Sequence, residues 1–127
     1  MANHLLKRGK IVEGGEAFGK AFEHFLFQEI WAHSRYSGLD YPLAYWRTAS
    51  QLEVDFILGD HELAVEVKAT GSADDRHLRG LRAFQEEYQV KEALLVSQDP
   101  KPRRMGNIRI MPWAVFLGEL WSGKLMK

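Results

Sequence analysis

Hydrophobic residues recur at two spacings along the chain, and the spacing separates helices from strands. Between residues 16 and about 33, apolar side chains return every three or four positions, which predicts an amphipathic helix. The same period runs from residue 74 to residue 88, where Asp74 or Asp75 is suited to cap the helix. A last short helix is predicted from residue 113 to residue 121, closed by Gly123.

Five other stretches have the composition or the alternation of β-strands. They cover residues 43–48, 51–58, 62–70, 92–97 and 108–113. The predicted order is therefore α-β-β-β-α-β-β-α. Because a helix separates the third and fourth strands, these two should be parallel, and we expect an α/β fold with a mixed central sheet flanked by helices. The proline-rich, basic stretch "QDPKPRRMGN" is predicted to be a loop.

The second and third strands should form a hairpin closed by the two residues Gly59 and Asp60. This loop predicts a register with Leu58 opposite His61, Asp55 opposite Ala64, and Glu53 opposite Glu66. Alternation places Val54, Phe56 and Leu58 on one face of the hairpin. The opposite, polar face collects Gln51, Glu53, Asp55, Ala64, Glu66, Lys68 and Thr70.

This polar face brings carboxylates and an ammonium group together. Like charges that face each other across a sheet repel, so Glu53 opposite Glu66 is a poor choice for stability alone. A divalent cation would reverse the repulsion, and Mg²⁺ or Mn²⁺ prefers carboxylate oxygens such as those of Asp55 and Glu66. Lys68 could steady a phosphate or help to deprotonate a water. The pattern favours phosphodiester hydrolysis, and the plain alternative is a hairpin with one solvated face.

Composition narrows the class of protein. The chain has 127 residues, which suits a single domain, and 17 basic residues balance 17 acidic ones. It has no cysteine, which excludes disulfides and thiolate zinc sites and fits a cytoplasmic location. No apolar run approaches the roughly 20 residues of a membrane span, so no membrane association is expected. Residues 1–13 are predicted to be a poorly ordered lead-in to the domain.

The hairpin also carries a known motif. Asp55, ten intervening residues and then "EVK" at residues 66–68 resemble the D-x(n)-E-x-K signature of the PD-(D/E)XK nuclease superfamily, although Val54 stands where the superfamily's name has proline. The superfamily's α-β-β-β-α-β core matches the order predicted above. The segments "GKAFEHFLFQEI", "YWRTASQLEVDFIL", "AVEVKAT", "HLRGLRAFQEE" and "MPWAVFLGELW" are similar to the C-terminal nuclease-like domain of prokaryotic AAA-type ATPases. The likeness covers about residues 14 to 122.

The resemblance implies a restriction-endonuclease-like core and a DNA nuclease that depends on Mg²⁺ or Mn²⁺. It implies that Asp55 and Glu66 are catalytic metal ligands and that Lys68 is catalytic. The motif "AFEHF" on the first helix nominates Glu23 as a further metal ligand. Glu29, nearer the centre of the apolar stripe, competes with Glu23 and is interpreted as a paired residue at the edge of the core.

The resemblance also suggests partners. The ATPase module that precedes this domain in the resembling proteins is absent here, so we expect either an excised fragment or a free-standing relative, with an AAA-type ATPase as a partner. Cleavage of both DNA strands would call for a homodimer. The alternative to a nuclease is a catalytically silent module that binds nucleic acid or docks a partner, with Arg47 and Lys68 bridging the acidic residues.

Four basic side chains are candidates for contact with a phosphate backbone. Arg47 lies in "YWRT", and Arg76, His77 and Arg79 lie around the start of the second helix. The competing interpretation for Arg47 is an ion pair with Glu53 or Asp55. For the other three it is an ordinary solvated helix face.

Overall fold

The computed structural model describes residues 16–126, which form a mixed sheet between two helical layers. The α-helices of this part are α1 (Glu16–Tyr36), α2 (Arg79–Glu87) and α3 (Trp113–Trp121), and a 3₁₀ turn at Asp75–Leu78 leads into α2. Its strands are β1 (Leu43–Arg47), β2 (Glu53–Leu58), β3 (Leu63–Val67), β4 (Glu92–Ser97), β5 (Arg103–Met105) and β6 (Ile108–Pro112). The predicted fold class, an α/β mixed sheet flanked by helices, is confirmed. The predicted lead-in, residues 1–13, lies outside the described residues.

The strands lie in the order β1-β2-β3-β4-β6-β5. Strands β3, β4 and β6 run parallel to one another, and the remaining neighbours are antiparallel. The parallel β3–β4 pair was predicted from the helix between them, because a crossover of that length returns the chain in the same direction. None of the described helices is long and apolar enough to cross a membrane.

Each face of the sheet is covered by helix, which explains why β3 is buried along its whole length. Helices α1 and α3 cover one face, and the core there includes Leu26 and Ile30 of α1 and Phe116 of α3. Helix α2 covers the other face with Leu81 and Phe84. Alternate residues of the central strands point to the two layers, as the period of two requires.

The loop predicted at residues 98–107 is partly wrong, because Arg103–Met105 forms β5. This three-residue strand pairs with β6 across Gly106 and Asn107, and Gly106 has φ +62°. A Gly-Asn pair between two strands is a recognised hairpin signal. Residues 16–126 therefore form six strands, whereas the sequence predicted five. Strand β5 was missed because three residues are too few to show a period.

The predicted register of the β2–β3 hairpin is also wrong, by two residues. Leu58 pairs with Leu63, and the loop spans residues 59–62. Both Gly59 and His61 take positive φ, and the Glu62 N–H donates to the Leu58 carbonyl at 3.2 Å. The longer loop pairs two buried leucines, which the two-residue loop would have separated. A shift of two residues preserves the face on which each side chain lies.

A β-bulge interrupts the ladder between β1 and β2. Between two regular pairs of this ladder, Tyr45 alone lies opposite both Asp55 and Phe56. The extra residue breaks the alternation of β2, so Val54 packs beneath α2 while Phe56 packs beneath α1 and α3. The prediction that Val54 and Phe56 share a face is therefore wrong. The bulge leaves Asp55 free to face the acidic residues described below.

A buried polar cluster fixes the segment that follows β3. Asp99 lies two residues after the end of β4. It accepts hydrogen bonds from the Ala73 N–H at 3.1 Å and the Ser97 hydroxyl at 2.5 Å, and it forms an ion pair with Arg103 at 3.1 Å. Arg103 also donates to the Ala73 carbonyl. Burial alone would raise the pKa of Asp99, but these partners outweigh it and lower the pKa. The chain after Lys68 is thus tied to β4 and β5.

Helix α2 approaches β2 closely at Gly80. A Cβ atom added to Gly80 would lie 2.1 Å from the Glu53 carbonyl oxygen. No side chain fits in that space, so the helix can lie directly over the backbone that carries Glu53.

We expect Gly80→Ala to lower the free energy of unfolding by about 1–3 kcal/mol, because helix and strand must separate to admit the methyl group. Chemical denaturation measures this change. Gly118→Ala in α3 is the matched control, since nothing lies within 4 Å of its added Cβ. That control should be neutral or more stable by up to about 1 kcal/mol. Equal stability of the two variants would contradict the close approach.

Candidate metal centre

Four carboxylates meet where α1 passes the adjoining ends of β2 and β3. Glu53 and Asp55 come from β2, Glu66 from β3 and Glu23 from α1. One oxygen from each of Glu53, Asp55 and Glu66 lies within 4.8 Å of the others. We call these three residues, together with Glu23, the acidic cluster. Carboxylate oxygens are the ligands that Mg²⁺ and Mn²⁺ prefer, and a spacing of this size would let one cation contact all three.

Asp55 and Glu66 are held in place by each other's strands. The Asp55 N–H donates to Glu66 Oε1 at 3.0 Å, and the Val67 N–H donates to Asp55 Oδ2 at 2.8 Å. Each carboxylate therefore accepts a backbone hydrogen bond from the opposite strand. Glu66 is only 3% exposed, so its carboxylate depends on these partners and on the charges nearby.

Glu23 and Asp55 are close enough to share a proton. Their mutual hydrogen bond is the largest influence on Glu23 and, with burial and the charges of Asp55 and Glu53, raises its pKa to about 8. Burial raises the pKa of Asp55 to about 7, with the Glu66 charge adding to the rise and the hydrogen bond from Glu23 opposing it. Burial also raises the pKa of Glu66. Protons thus offset part of the repulsion when no cation is bound.

Two cations flank the acidic cluster. Lys68 Nζ lies 3.3 Å from Glu66 Oε2, and the charge of Lys68 opposes the rise in the pKa of Glu66. On the other side, Arg47 Nη2 lies 3.0 Å from Glu53 Oε2. The Arg47 side chain is 61% exposed, so this pair contributes little to stability and can open at small cost.

Two clefts adjoin at the acidic cluster, and Glu23, Glu53 and Asp55 line both. The lysine cleft has a volume of about 410 Å³, and Lys20 and Lys68 contribute to its walls. The tyrosine cleft has a volume of about 320 Å³ and is completed by Tyr45, Trp46, Arg47 and Val54. The carboxylates thus form a ridge between two openings that each carry basic side chains.

The structure brings together some of the residues nominated from the sequence. Glu23, Asp55, Glu66 and Lys68 lie in one cluster, with Asp55 next to Glu66 in place of the diagonal that the predicted register gave. Glu29 lies elsewhere and accepts a hydrogen bond from Trp121 of α3 at 3.1 Å. It is a paired residue between two helices, as the sequence interpretation held.

Of the four basic residues nominated for phosphate contact, one lies at the acidic cluster and three lie elsewhere. Arg47 pairs with Glu53 and lines the tyrosine cleft. Arg76 and His77 instead bond to Asp74, where His77 completes a capping box at the start of the 3₁₀ turn. Arg79 is exposed beside Gly80. Arg76, His77 and Arg79 are not among the described residues that line the two clefts.

Sequence reasoning gave Glu53 no ligand role, although Glu53 is one of the three carboxylates that lie within 4.8 Å of one another. Its spacing of two from Asp55 on the same strand was the available signal. Lys20 and Tyr45 were also missed. Lys20 lies one helical turn before Glu23 and could have been found from that spacing, whereas Tyr45 depends on the bulge.

Comparison with known proteins gives one family. The family model described as "Domain of unknown function (DUF4143)" matches residues 18–116, a span that contains the acidic cluster and both flanking cations. No curated protein and no solved structure matches the chain.

The raised pKa values predict a stability that falls with pH in the absence of metal. The folded protein holds protons that the unfolded chain releases from about pH 4, so the contribution of Glu23 and Asp55 to stability is greatest below about pH 4 and is lost as pH rises toward 7 and 8. We expect a loss of at least about 2 kcal/mol between pH 5 and pH 9, because the raised pKa of Asp55, about 7, by itself spans two pH units of that range. Urea denaturation with a chelator present measures it.

Glu23→Gln should flatten this slope, because one partner of the shared proton then carries no charge at any pH. Glu86→Gln, an exposed change on α2, is the control and should keep the wild-type slope. If Glu23→Gln and the wild type lose stability in parallel, the shared proton is not the cause.

Proposed function

The chain belongs to the DUF4143 family, and from this premise we propose that it is a metal-dependent phosphodiesterase that acts on DNA. The single observation that carries the proposal is the meeting of Glu53, Asp55 and Glu66 within 4.8 Å beside the Lys68 ammonium group. Three carboxylates and a lysine at the ends of two antiparallel strands are more than a solvated sheet face requires, since Glu66 is buried.

The spacing of these residues supports the same reaction class. Asp55, Glu66 and Lys68 follow the D-x(n)-E-x-K spacing, and the mixed sheet with α1 beside it is the arrangement that the nuclease resemblance implies. The proposal therefore includes the restriction-endonuclease-like core. A burial and charge pattern of this kind is typical of functional sites, where pKa values are displaced by neighbouring charges.

Glu53, Asp55 and Glu66 would hold the cation, with Glu23 as an outer partner that gives up its proton when the cation is bound. A divalent cation at this place would supply a more acidic water and would offset the negative charge that develops on the leaving oxygen. The chain's own backbone fixes the ligands, since the N–H groups of Asp55 and Val67 hold the two central carboxylates.

Lys68 has a separate task. Its ammonium group reaches Glu66 Oε2 at 3.3 Å and borders the lysine cleft, so it can donate a hydrogen bond to a phosphate oxygen placed over the carboxylates. Lys20 borders the same cleft and adds a second positive charge along the path of a DNA strand. Because the protein as a whole carries no net charge, the attraction for a phosphate has to come from local cations such as these two lysines.

A second function is favoured by a different observation. Each carboxylate of the acidic cluster has a protein partner: Glu53 pairs with Arg47, Glu66 with Lys68, and Glu23 with Asp55. A cluster satisfied in this way suits a catalytically silent domain that binds nucleic acid or docks a partner. Because the family is often found with AAA ATPases, that partner would be an AAA-type ATPase module. This function requires no metal.

Calorimetric titration with Mg²⁺ or Mn²⁺ separates the two functions. We expect the wild type to bind metal and to nick plasmid DNA, and we expect Asp55→Asn to lose both, because a central ligand loses its charge. Asp60→Asn is the matched control, since Asp60 is an exposed carboxylate in the loop of the same hairpin. Wild-type protein that is folded yet binds no metal would favour the docking function.

Lys68→Met tests the lysine separately from metal binding. The variant should keep metal binding but lose about 10²–10³-fold in nicking rate, because a positive charge near the phosphate is removed. Circular dichroism checks that it is folded. Nicking at the wild-type rate would remove Lys68 from the reaction and leave it a structural partner of Glu66.

A further inference from the structure

Tyr45 is a largely exposed aromatic side chain beside the acidic cluster. It is 74% exposed, on edge strand β1, opposite the bulge that carries Asp55. Its neighbour Trp46 packs edge-on against Phe84, with ring centroids 5.3 Å apart. Among the described residues, by contrast, the Tyr45 ring forms no aromatic pair.

We propose that Tyr45 is a stacking platform for an unpaired nucleobase, so that the substrate of the acidic cluster is single-stranded or locally unpaired DNA. This proposal rests on the phosphodiesterase function proposed above and names its substrate class. It assigns the tyrosine cleft to the nucleotide that lies next to the phosphate held over the carboxylates.

The position of Tyr45 next to the acidic cluster supports the proposal. Tyr45 lines the tyrosine cleft together with Glu23, Glu53 and Asp55, which also line the lysine cleft. A strand laid across this ridge would place one phosphate above the carboxylates. The nucleotide on one side would then enter the tyrosine cleft, and its neighbour would follow Lys20 and Lys68.

The chemistry of the tyrosine cleft suits a nucleobase and its phosphate. An exposed aromatic ring stacks on any base, because every base has a π face. Arg47, in the same cleft, is mostly exposed and pairs with Glu53 across a solvated contact, so it can turn to a phosphate oxygen at small cost. A volume of about 320 Å³ lies at the lower end of the range for pockets that hold small ligands.

Duplex DNA cannot use this platform. Inside a duplex both faces of each base are covered by neighbouring bases, so no face is available to a side chain. Unpaired bases have a free face and a flexible backbone that can follow the ridge between the clefts. Tyr45 should therefore make the protein prefer single-stranded to duplex DNA. The carboxylates and lysines contact only the phosphate, which is the same in both.

The test is fluorescence anisotropy with a labelled single-stranded oligonucleotide and a blunt-ended duplex of two annealed strands, with Ca²⁺ in place of Mg²⁺ to prevent cleavage. We expect Tyr45→Ala to weaken binding of the single strand by about 5- to 100-fold, the effect of removing one stacked base. Tyr45→Phe keeps the ring and should bind as the wild type does. Binding of the duplex should be unchanged in both variants.

Tyr36→Ala is the control for loss of an exposed tyrosine. Tyr36 is 82% exposed at the far end of α1, about 20 Å along the helix from Glu23. It should bind the single strand as the wild type does. Equal weakening in Tyr36→Ala and Tyr45→Ala would overturn the proposal, because the effect would then belong to surface aromatics in general.

The outcomes also separate this inference from the proposed function. If Tyr45→Ala binds single strands as tightly as the wild type while Asp55→Asn abolishes nicking, stacking fails and the phosphodiesterase stands. If Tyr45→Ala loses single-strand binding although wild type and Asp55→Asn are both unable to nick, the platform stands on a domain that binds without cutting. Wild-type protein that binds neither oligonucleotide overturns the stacking platform, and if it also fails to nick plasmid DNA both proposals fail.

Discussion

The exchange of hydrogen bonds between β2 and β3 at Asp55 and Glu66 is the interaction on which the rest of the site depends. In an ordinary ladder the backbone N–H of each strand would meet a carbonyl of the other. Here the Asp55 and Val67 N–H groups meet carboxylates instead. Two acidic side chains are thereby fixed within the sheet, where neither could remain without a partner. Glu23, Glu53 and Lys68 take their places around this pair.

Such a cluster is tolerated because its charges are compensated locally. Lys68 pairs with Glu66 and Arg47 pairs with Glu53, and the Glu23 carboxyl shares its hydrogen bond with Asp55. The remaining imbalance appears as raised pKa values, which means that the folded cluster holds protons a cation can replace. The supporting fold is closely packed at the same place, since α2 lies on the Glu53 backbone through Gly80.

The sequence predicts those parts of this arrangement that depend on local patterns. The helical and strand periods located the three helices and five of the six strands of the described residues. The alternation of side chains along the hairpin placed Asp55 and Glu66 on the same face. The rest depends on single backbone conformations. Nothing in the residue types shows that His61 takes positive φ and lengthens the loop, or that Tyr45 lies opposite two residues. The nearness of Tyr45 to the acidic cluster follows from the bulge, which is why the pattern of residues did not predict it.

The bulge between β1 and β2 has a consequence for the edge of the sheet as well. Strand β1 is an edge strand, and the unpaired N–H and C=O groups of a regular edge attract strands from other molecules. The extra residue opposite Tyr45 bends and twists the ladder, so a straight strand cannot follow β1 along its length. The irregularity that turns Asp55 toward Glu23 therefore also protects the open edge beside it from aggregation.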